Sequence, residues 1–257
     1  MTSNHYRFSK HIYTTMKTRT EERYTITTQG RSAMKVDHQL LRNLTPFITG
    51  VLLYFIAWLP VDQPSLSHAV LKCLPILALI DFVHDQNINP GRVLYQQGVQ
   101  LGLTFSCIGD ALLIWDHHFV PGMIAFALAH ICYIKAIGFK RPVDWFKGAV
   151  FLVLSTAAMF LFYPGLRGIL VPAVFIYNAI ICTMGWSACA TIDKEMSRSQ
   201  LYARIGSLLF IASDLVIGVD KFVLLVPRAR FVIMSTYYMS QCLIALSVLD
   251  SPTLMVE

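Results

Sequence analysis

Two carboxylates stand inside apolar sequence where hydrocarbon surroundings would reject an idle charge. Asp110 lies in Gln96-Gln-Gly-Val-Gln100-Leu-Gly-Leu-Thr104-Phe-Ser-Cys-Ile-Gly109-Asp110-Ala-Leu-Leu-Ile-Trp115, and Asp214 lies in Arg204-Ile-Gly-Ser207-Leu-Leu-Phe-Ile-Ala-Ser213-Asp214-Leu-Val-Ile-Gly218-Val-Asp220-Lys221-Phe222. On a helix of about 3.6 residues per turn, positions 204, 207, 211, 214, 218 and 221 share one face, so Arg204, Ser207, Asp214, Gly218 and Lys221 form a polar and small-residue stripe. Ionisable groups placed this way mark proton chemistry or an ion path, or else bond across helices to hold a bundle together. Each Asp follows a small residue and precedes aliphatic ones, a likeness compatible with a remote duplication of four helices plus four.

Other polar groups fall in the neighbouring apolar runs. They are Lys72, the pair His130 and Tyr133 three apart with Lys135 beyond, Tyr177-Asn178, and Tyr237-Tyr238 with Gln241 one helical turn on. Taken singly each has a plain reading: Lys72 and Lys135 snorkel to the interface, the tyrosines join an aromatic belt, and His130 is a satisfied core histidine. Their number across several segments instead implies one shared cavity into which the segments turn their polar faces.

The elements that must carry these residues follow from composition. Hydrophobic residues make up 55% of the 257 and charged residues 14%, and mean hydropathy is +0.55, against about 25% charged in a soluble domain. This is the composition of an integral membrane protein, and continuous rather than alternating apolar runs select helices. The predicted fold is an all-α bundle of about eight transmembrane helices, at 44–61, 66–83, 94–115, 118–138, 146–163, 166–186, 201–225 and 229–249. Arg92, Lys140, Arg141, Lys147, Lys194 and Arg198 fall in loops on one side, against Arg167, Arg228 and Arg230 on the other, which predicts both termini in the cytosol.

Residues 1–43 hold eight of the 21 Lys and Arg and no apolar stretch, so they are expected to be a disordered cytosolic tail, with Met34 an alternative start; 251–257 is a short second tail. The net charge of +6 is thus spent largely outside the apolar part and argues against a nucleic-acid partner. The six cysteines lie in or at the ends of apolar runs with no CxxC, and the eight histidines contain no HxxxH, so neither disulfides nor a metal site is expected, and no cofactor.

Phe105-Ser-Cys-Ile-Gly-Asp110, Phe119-Val-Pro-Gly122, Phe126-x-x-Ala129-His130-x-x-Tyr133, Arg204-x-Gly206, Phe210-x-x-Ser213-Asp214 and Tyr237-Tyr238-x-x-Gln241 occur in this order over residues 44 to 250. In that pattern the chain resembles the lysoplasmalogenase (YhhN-like) membrane family, and Trp58-Leu-Pro60 with Lys72-Cys-Leu-Pro75 resembles its animal members. The resemblance implies an eight-span hydrolase that cleaves the vinyl ether of lysoplasmalogens to a fatty aldehyde and glycerophosphocholine or glycerophosphoethanolamine. It implies that Asp110 and Asp214 are the catalytic pair.

The implied chemistry suits two carboxylates. A vinyl ether hydrolyses by protonation at carbon, giving an oxocarbenium ion that water captures, so the site needs an acid near the double bond and an anion near the cation. A carboxyl group taken out of water keeps its proton to higher pH. Asp110, flanked by Ile108, Ala111 and Leu112, is the expected acid, and Asp214 beside Ser213 the expected anion and water base. Lys72, Arg204 or Lys221 would hold the lysophospholipid phosphate, with His130, Tyr133, Tyr177, Asn178, Tyr237, Tyr238 and Gln241 orienting the glycerol. A proton-coupled carrier of a small or lipid substrate would bury the same groups and remains the alternative. The expected partners are the substrate and the bilayer, and the expected membrane is the endoplasmic reticulum.

Overall fold

The computed structural model describes residues 38–59, 64–86, 90–139, 143–190 and 196–249. Their long elements are eight α-helices: α1 His38–Ala57, then α2 Leu66–His84, α3 Val93–Leu112, α4 Phe119–Ile137, α5 Trp145–Phe162, α6 Leu170–Cys189, α7 Arg198–Phe222 and α8 Ala229–Leu246. Helix α1 thus begins ahead of the expected start at 44. Lys140, Arg141, Lys194, residues 1–37 with Met34, and the tail at 251–257 lie outside the described residues.

Six of the eight, α1, α2, α4, α5, α6 and α7, are long and apolar enough to cross a membrane. The expectation of eight such spans is therefore met by six on these grounds. Helices α3 and α8 fall outside the set because they carry the polar load, Gln96, Gln97, Gln100, Thr104 and Asp110 in one and Arg230, Thr236, Tyr237, Tyr238 and Gln241 in the other.

Local signals set the helix ends. Ser65 opens α2 by accepting from the His68 amide, and Asp144 opens α5 by accepting from that of Lys147. Ser197 and Gln200 form a reciprocal capping box at the start of α7, and Arg228 turns into α8 in the left-handed region, at φ 58°. The chain divides into two units between Thr45 and Pro46; of the first, residues 38–45 are described, the first turns of α1, with the Thr45 hydroxyl bonded to the Leu41 carbonyl.

Within residues 46–249 two antiparallel pairs dominate, α3 with α4 and α7 with α8; α2 lies on α3 and α8, while α6 joins α4, α5 and α7. Small residues allow the close approach. The Tyr133 ring covers Gly102, leaving no room for a Cβ there, and a Cβ on Gly206 would stand 2.8 Å from Ile244 Cγ1 and 3.0 Å from the Ser240 carbonyl. Large apolar side chains such as Leu152, Val153, Phe160 and Phe175 point outward. In water such a surface would associate; here it is the face offered to lipid. Helix α5 is the most peripheral of the set, with Phe162 its one buried residue.

Candidate active site

Asp110 sits in the last turn of α3 and only 1% of its surface is exposed. Its two oxygens have separate partners. Lys72 Nζ of α2 stands 3.3 Å from Oδ1, and the Tyr237 hydroxyl of α8 donates to Oδ2 at 2.5 Å. A buried carboxylate without such partners would be expensive, so the ion pair and the phenol are what make this position tenable.

Tyr237 is itself held from behind. The Gln241 side-chain amide donates to the Tyr237 hydroxyl at 3.2 Å, and Gln241 Oε1 accepts from Tyr133 at 2.8 Å. The order Tyr133, Gln241, Tyr237, Asp110 is a continuous buried chain across α4, α8 and α3. Tyr133 and Gln241 thus act on the carboxylate through Tyr237.

Asp214 occupies the middle of α7. The Tyr177 hydroxyl of α6 donates to Oδ2, while His130 Nε2 of α4 lies 3.8 Å from the same oxygen and 3.0 Å from the Tyr177 hydroxyl. Among the described residues no Lys or Arg is paired with Asp214, and Oδ1 has no hydrogen-bond partner. His130 is fully buried against the edge of Phe210.

The two environments correspond. A shift by four helices carries α2, α3 and α8 onto α6, α7 and α4, so Lys72, Asp110 and Tyr237 map onto Tyr177, Asp214 and His130. Each half supplies one carboxylate on its third helix, with one partner from its own preceding helix and one from the last helix of the other half.

Both carboxylates line one cavity of about 260 Å³ among α2 to α8. Its remaining wall is mostly apolar, with Met123, Phe126, Ala158, Phe162, Val174, Ile211 and Gly218 among it. Leu154 of α5 and Leu215 of α7 line the cavity and are also 55% and 43% exposed. The cavity therefore reaches the lipid-facing surface between those two helices. Two acid groups at the head of an apolar recess that opens sideways are suited to a molecule with a long tail and a reactive bond near its polar end.

The YhhN family matches this chain over residues 67–248, which contains every residue of the cavity. The chain belongs to the YhhN family. Among its relatives are lysoplasmalogenase TMEM86A of Bos taurus, 42% identical over 216 residues covering 81% of this chain and 89% of the relative, and lysoplasmalogenase TMEM86B of Homo sapiens, 39% identical over 223 residues covering 86% and 92%. A lysoplasmalogenase of Mycobacterium tuberculosis is 30% identical over 136 residues, 48% of this chain and 49% of that protein. No solved structure matches the chain.

The other residues singled out in this YhhN chain fall into three groups. Ser213 and Asn178 line the cavity, but the Ser213 hydroxyl donates to the Ile233 carbonyl and the Asn178 amide to Ser155. Tyr238 turns to the other side, donating to the Lys72 carbonyl at 3.0 Å, where it fixes the backbone that presents Lys72. Arg204 and Lys221 share a helical face with Asp214 and not a site. At about 1.5 Å rise per residue Arg204 lies roughly 15 Å along the axis and Lys221 roughly 10 Å the other way. Arg204 lines a different cavity, and Lys221 rests at the surface over the Phe119 ring, 3.6 Å from Asp116. Reading the sequence alone missed Arg230, which ties α8 to the end of α1 through the Tyr54 hydroxyl and the Leu59 carbonyl and stacks on Trp58. It also missed Ser155, the partner of Asn178.

Proposed function

We propose that this chain is a membrane-embedded lysoplasmalogenase that hydrolyses the vinyl ether of lysoplasmalogens by the combined action of Asp110 and Asp214. The observation that carries the reading is that two carboxylates from different helices share one apolar, laterally open cavity in a chain whose relatives are named for that activity. The alkenyl tail enters between α5 and α7 and lies along the apolar wall, and the vinyl ether comes to rest between the two acids. Lys72, the cation of this cavity, holds Asp110 and stands where the glycerol phosphate can approach it.

In the proposed mechanism the two aspartates exchange the roles expected from flanking residues. Asp110 faces the Lys72 ammonium at one oxygen and the Tyr237 hydroxyl at the other, and both contacts are donors to a carboxylate that can still accept a further proton. Asp214 has Oδ1 unpartnered among the described residues, in the cavity. In the route we propose, Asp214 is the donor, delivering a proton from Oδ1 to the vinyl carbon beyond the ether-bearing one. The Asp214 carboxylate that forms is held by Tyr177 as the oxocarbenium ion develops at the ether carbon.

Water then adds to that carbon while Asp110 takes its proton, giving a hemiacetal. In the collapse Asp110 returns this proton to the glycerol oxygen as the carbon–oxygen bond breaks. Asp214 takes the hemiacetal hydroxyl proton as the aldehyde forms. Both residues end as they began, and one water has been consumed.

We further propose that α3 and α8 cross the membrane with the other six. They are about 30 and 27 Å long at 1.5 Å per residue, close to the ~30 Å hydrocarbon core; Asp110 and Tyr237 turn to the cavity, and Tyr238 and Gln241 are buried beside them. Both termini then face the same side, assigned to the cytosol by the positive loop residues.

The test uses purified protein, a lysoplasmalogen and D2O. Protonation at carbon places one deuterium next to the aldehyde carbon, with a normal solvent isotope effect on turnover; the aldehyde is reduced as it forms so that enolisation adds no label. The saturated alkyl ether has no carbon to protonate and is expected to inhibit without reacting. Aldehyde released with no deuterium at that carbon would refute the two-acid route. Flux of intact lipid through sealed proteoliposomes without product would refute hydrolysis itself.

A further inference from the structure

A second cavity, of about 400 Å³, lies at the other end of the bundle, where the start of α3 and α7 meet the ends of α4 and α6. Its size falls in the ~300–1,000 Å³ range of ligand pockets. Its wall is more polar than that of the first cavity: Arg92, Tyr95, Ser197, Ser199, Gln200 and Arg204 contribute to it, and no carboxylate does among the described residues. Several of these side chains are committed to the fold. Arg92 donates to Ser199 and to the Ser247 carbonyl, and Ser197 and Gln200 cap α7.

Arg204 is different. It stands six residues into α7, donates from Nε alone, to the Ala188 carbonyl at 3.3 Å, and is in no ion pair among the described residues. A guanidinium within a membrane helix is costly, and one that faces a cavity with its two terminal amino groups uncommitted offers a planar fork matched to an oxyanion. The start of α7 adds the positive end of its dipole to the same space.

We propose that this cavity is a phosphate-binding site, distinct from the catalytic cavity, in which Arg204 grips the phosphate oxygens. The ligand is a phosphate group, carried either by a soluble compound or by the head group of a membrane phospholipid. It is not the phosphate of the reacting lipid. Arg204 and Asp214 are roughly 15 Å apart along α7, whereas six bonds separate the vinyl ether carbon from phosphorus in a lysoplasmalogen, a reach of at most about 8 Å at ordinary bond lengths. The occupant is therefore a second molecule.

The test is made on the full-length protein in maltoside micelles, with thermal stability as the readout. One arm titrates inorganic phosphate against acetate at equal ionic strength, and the other titrates phosphatidylglycerol. A rise in Tm with phosphate and not with acetate identifies a soluble phosphate ligand; a rise with phosphatidylglycerol alone identifies a head group. In either case Arg204→Gln must raise the half-saturating concentration at least tenfold. Arg204→Lys, which keeps the charge without the fork, must do the same and serves where the Gln variant does not fold. Asp214→Asn must respond like wild type, so the site stands or falls apart from the catalytic reading. No rise in either arm, an equal rise with acetate, or a rise undiminished in both Arg204 variants would overturn the proposal.

Discussion

Replacing Lys72 by Met removes the ammonium while keeping the length and most of the apolar surface of the side chain. The structure makes the consequence calculable. The Lys72 and Asp110 side chains are 13% and 2% exposed, so the ion pair is buried and solvent screens it little. Breaking such a pair from one side strands a buried charge, at about 3–5 kcal/mol. At about 2–4 °C per kcal/mol for a chain of this size, Tm should fall by roughly 6–20 °C. Asp110→Asn should cost less, about 1–2 kcal/mol, since the amide oxygen still accepts from Lys72 or Tyr237. The double variant Lys72→Met/Asp110→Asn strands no charge and should recover to within about 1 kcal/mol of Asp110→Asn alone, a coupling of about 2–4 kcal/mol. Its turnover should stay as low as that of Asp110→Asn, because stability is restored and the carboxylate is not. Thermal denaturation in one detergent and product release from a lysoplasmalogen measure the two quantities on the same samples. Additive losses, with a coupling under about 0.5 kcal/mol, would show that Lys72 does not neutralise Asp110 and would remove the basis for keeping Asp110 ionised in the mechanism.

Asp110→Asn and Asp214→Asn are each expected to lower kcat at least 100-fold, the scale of a lost general acid or base, with Asp214→Asn holding its Tm near wild type; near-normal turnover in a well-folded variant would end the two-carboxylate reading. Gln241→Leu should cut kcat about tenfold without abolishing it and leave KM little changed, because it loosens Tyr237 and touches no substrate, and kinetics of the purified variant would show an unchanged kcat if the buried chain behind Asp110 has no role. Gly102→Leu forces a side chain into the space of the Tyr133 ring and should lower yield and Tm sharply, whereas Gly91→Ala, with open space at its Cβ position, should alter neither. Glycosylation acceptors engineered between Asp62 and Ser65 should be modified and those near Asp193 should not, and the reverse pattern in a microsomal glycosylation assay would invert the topology.

The class of this protein and its two key residues follow from the sequence, because hydrocarbon is a strict solvent. Apolar runs of about 20 residues admit little but helices, and a carboxylate inside one is costly enough that Asp110 and Asp214 stand out unaided. The periodicity also places Tyr133 with His130 and Gln241 with Tyr237 on common faces, as the buried network confirms for Tyr237 and Gln241. What periodicity cannot supply is depth and direction. Arg204, Asp214 and Lys221 lie on one face of α7 and are separated by whole turns of helix, so they reach the second cavity, the carboxylate-lined cavity and the surface in turn. Nor does a sequence say which helix stands opposite. Only the packing of α2 and α8 around α3, and of α4 and α6 around α7, gives Asp110 an ammonium and a phenol and Asp214 a phenol and an imidazole. These partners are side chains 37 to 127 residues away in the chain, brought alongside by the packing of neighbouring helices.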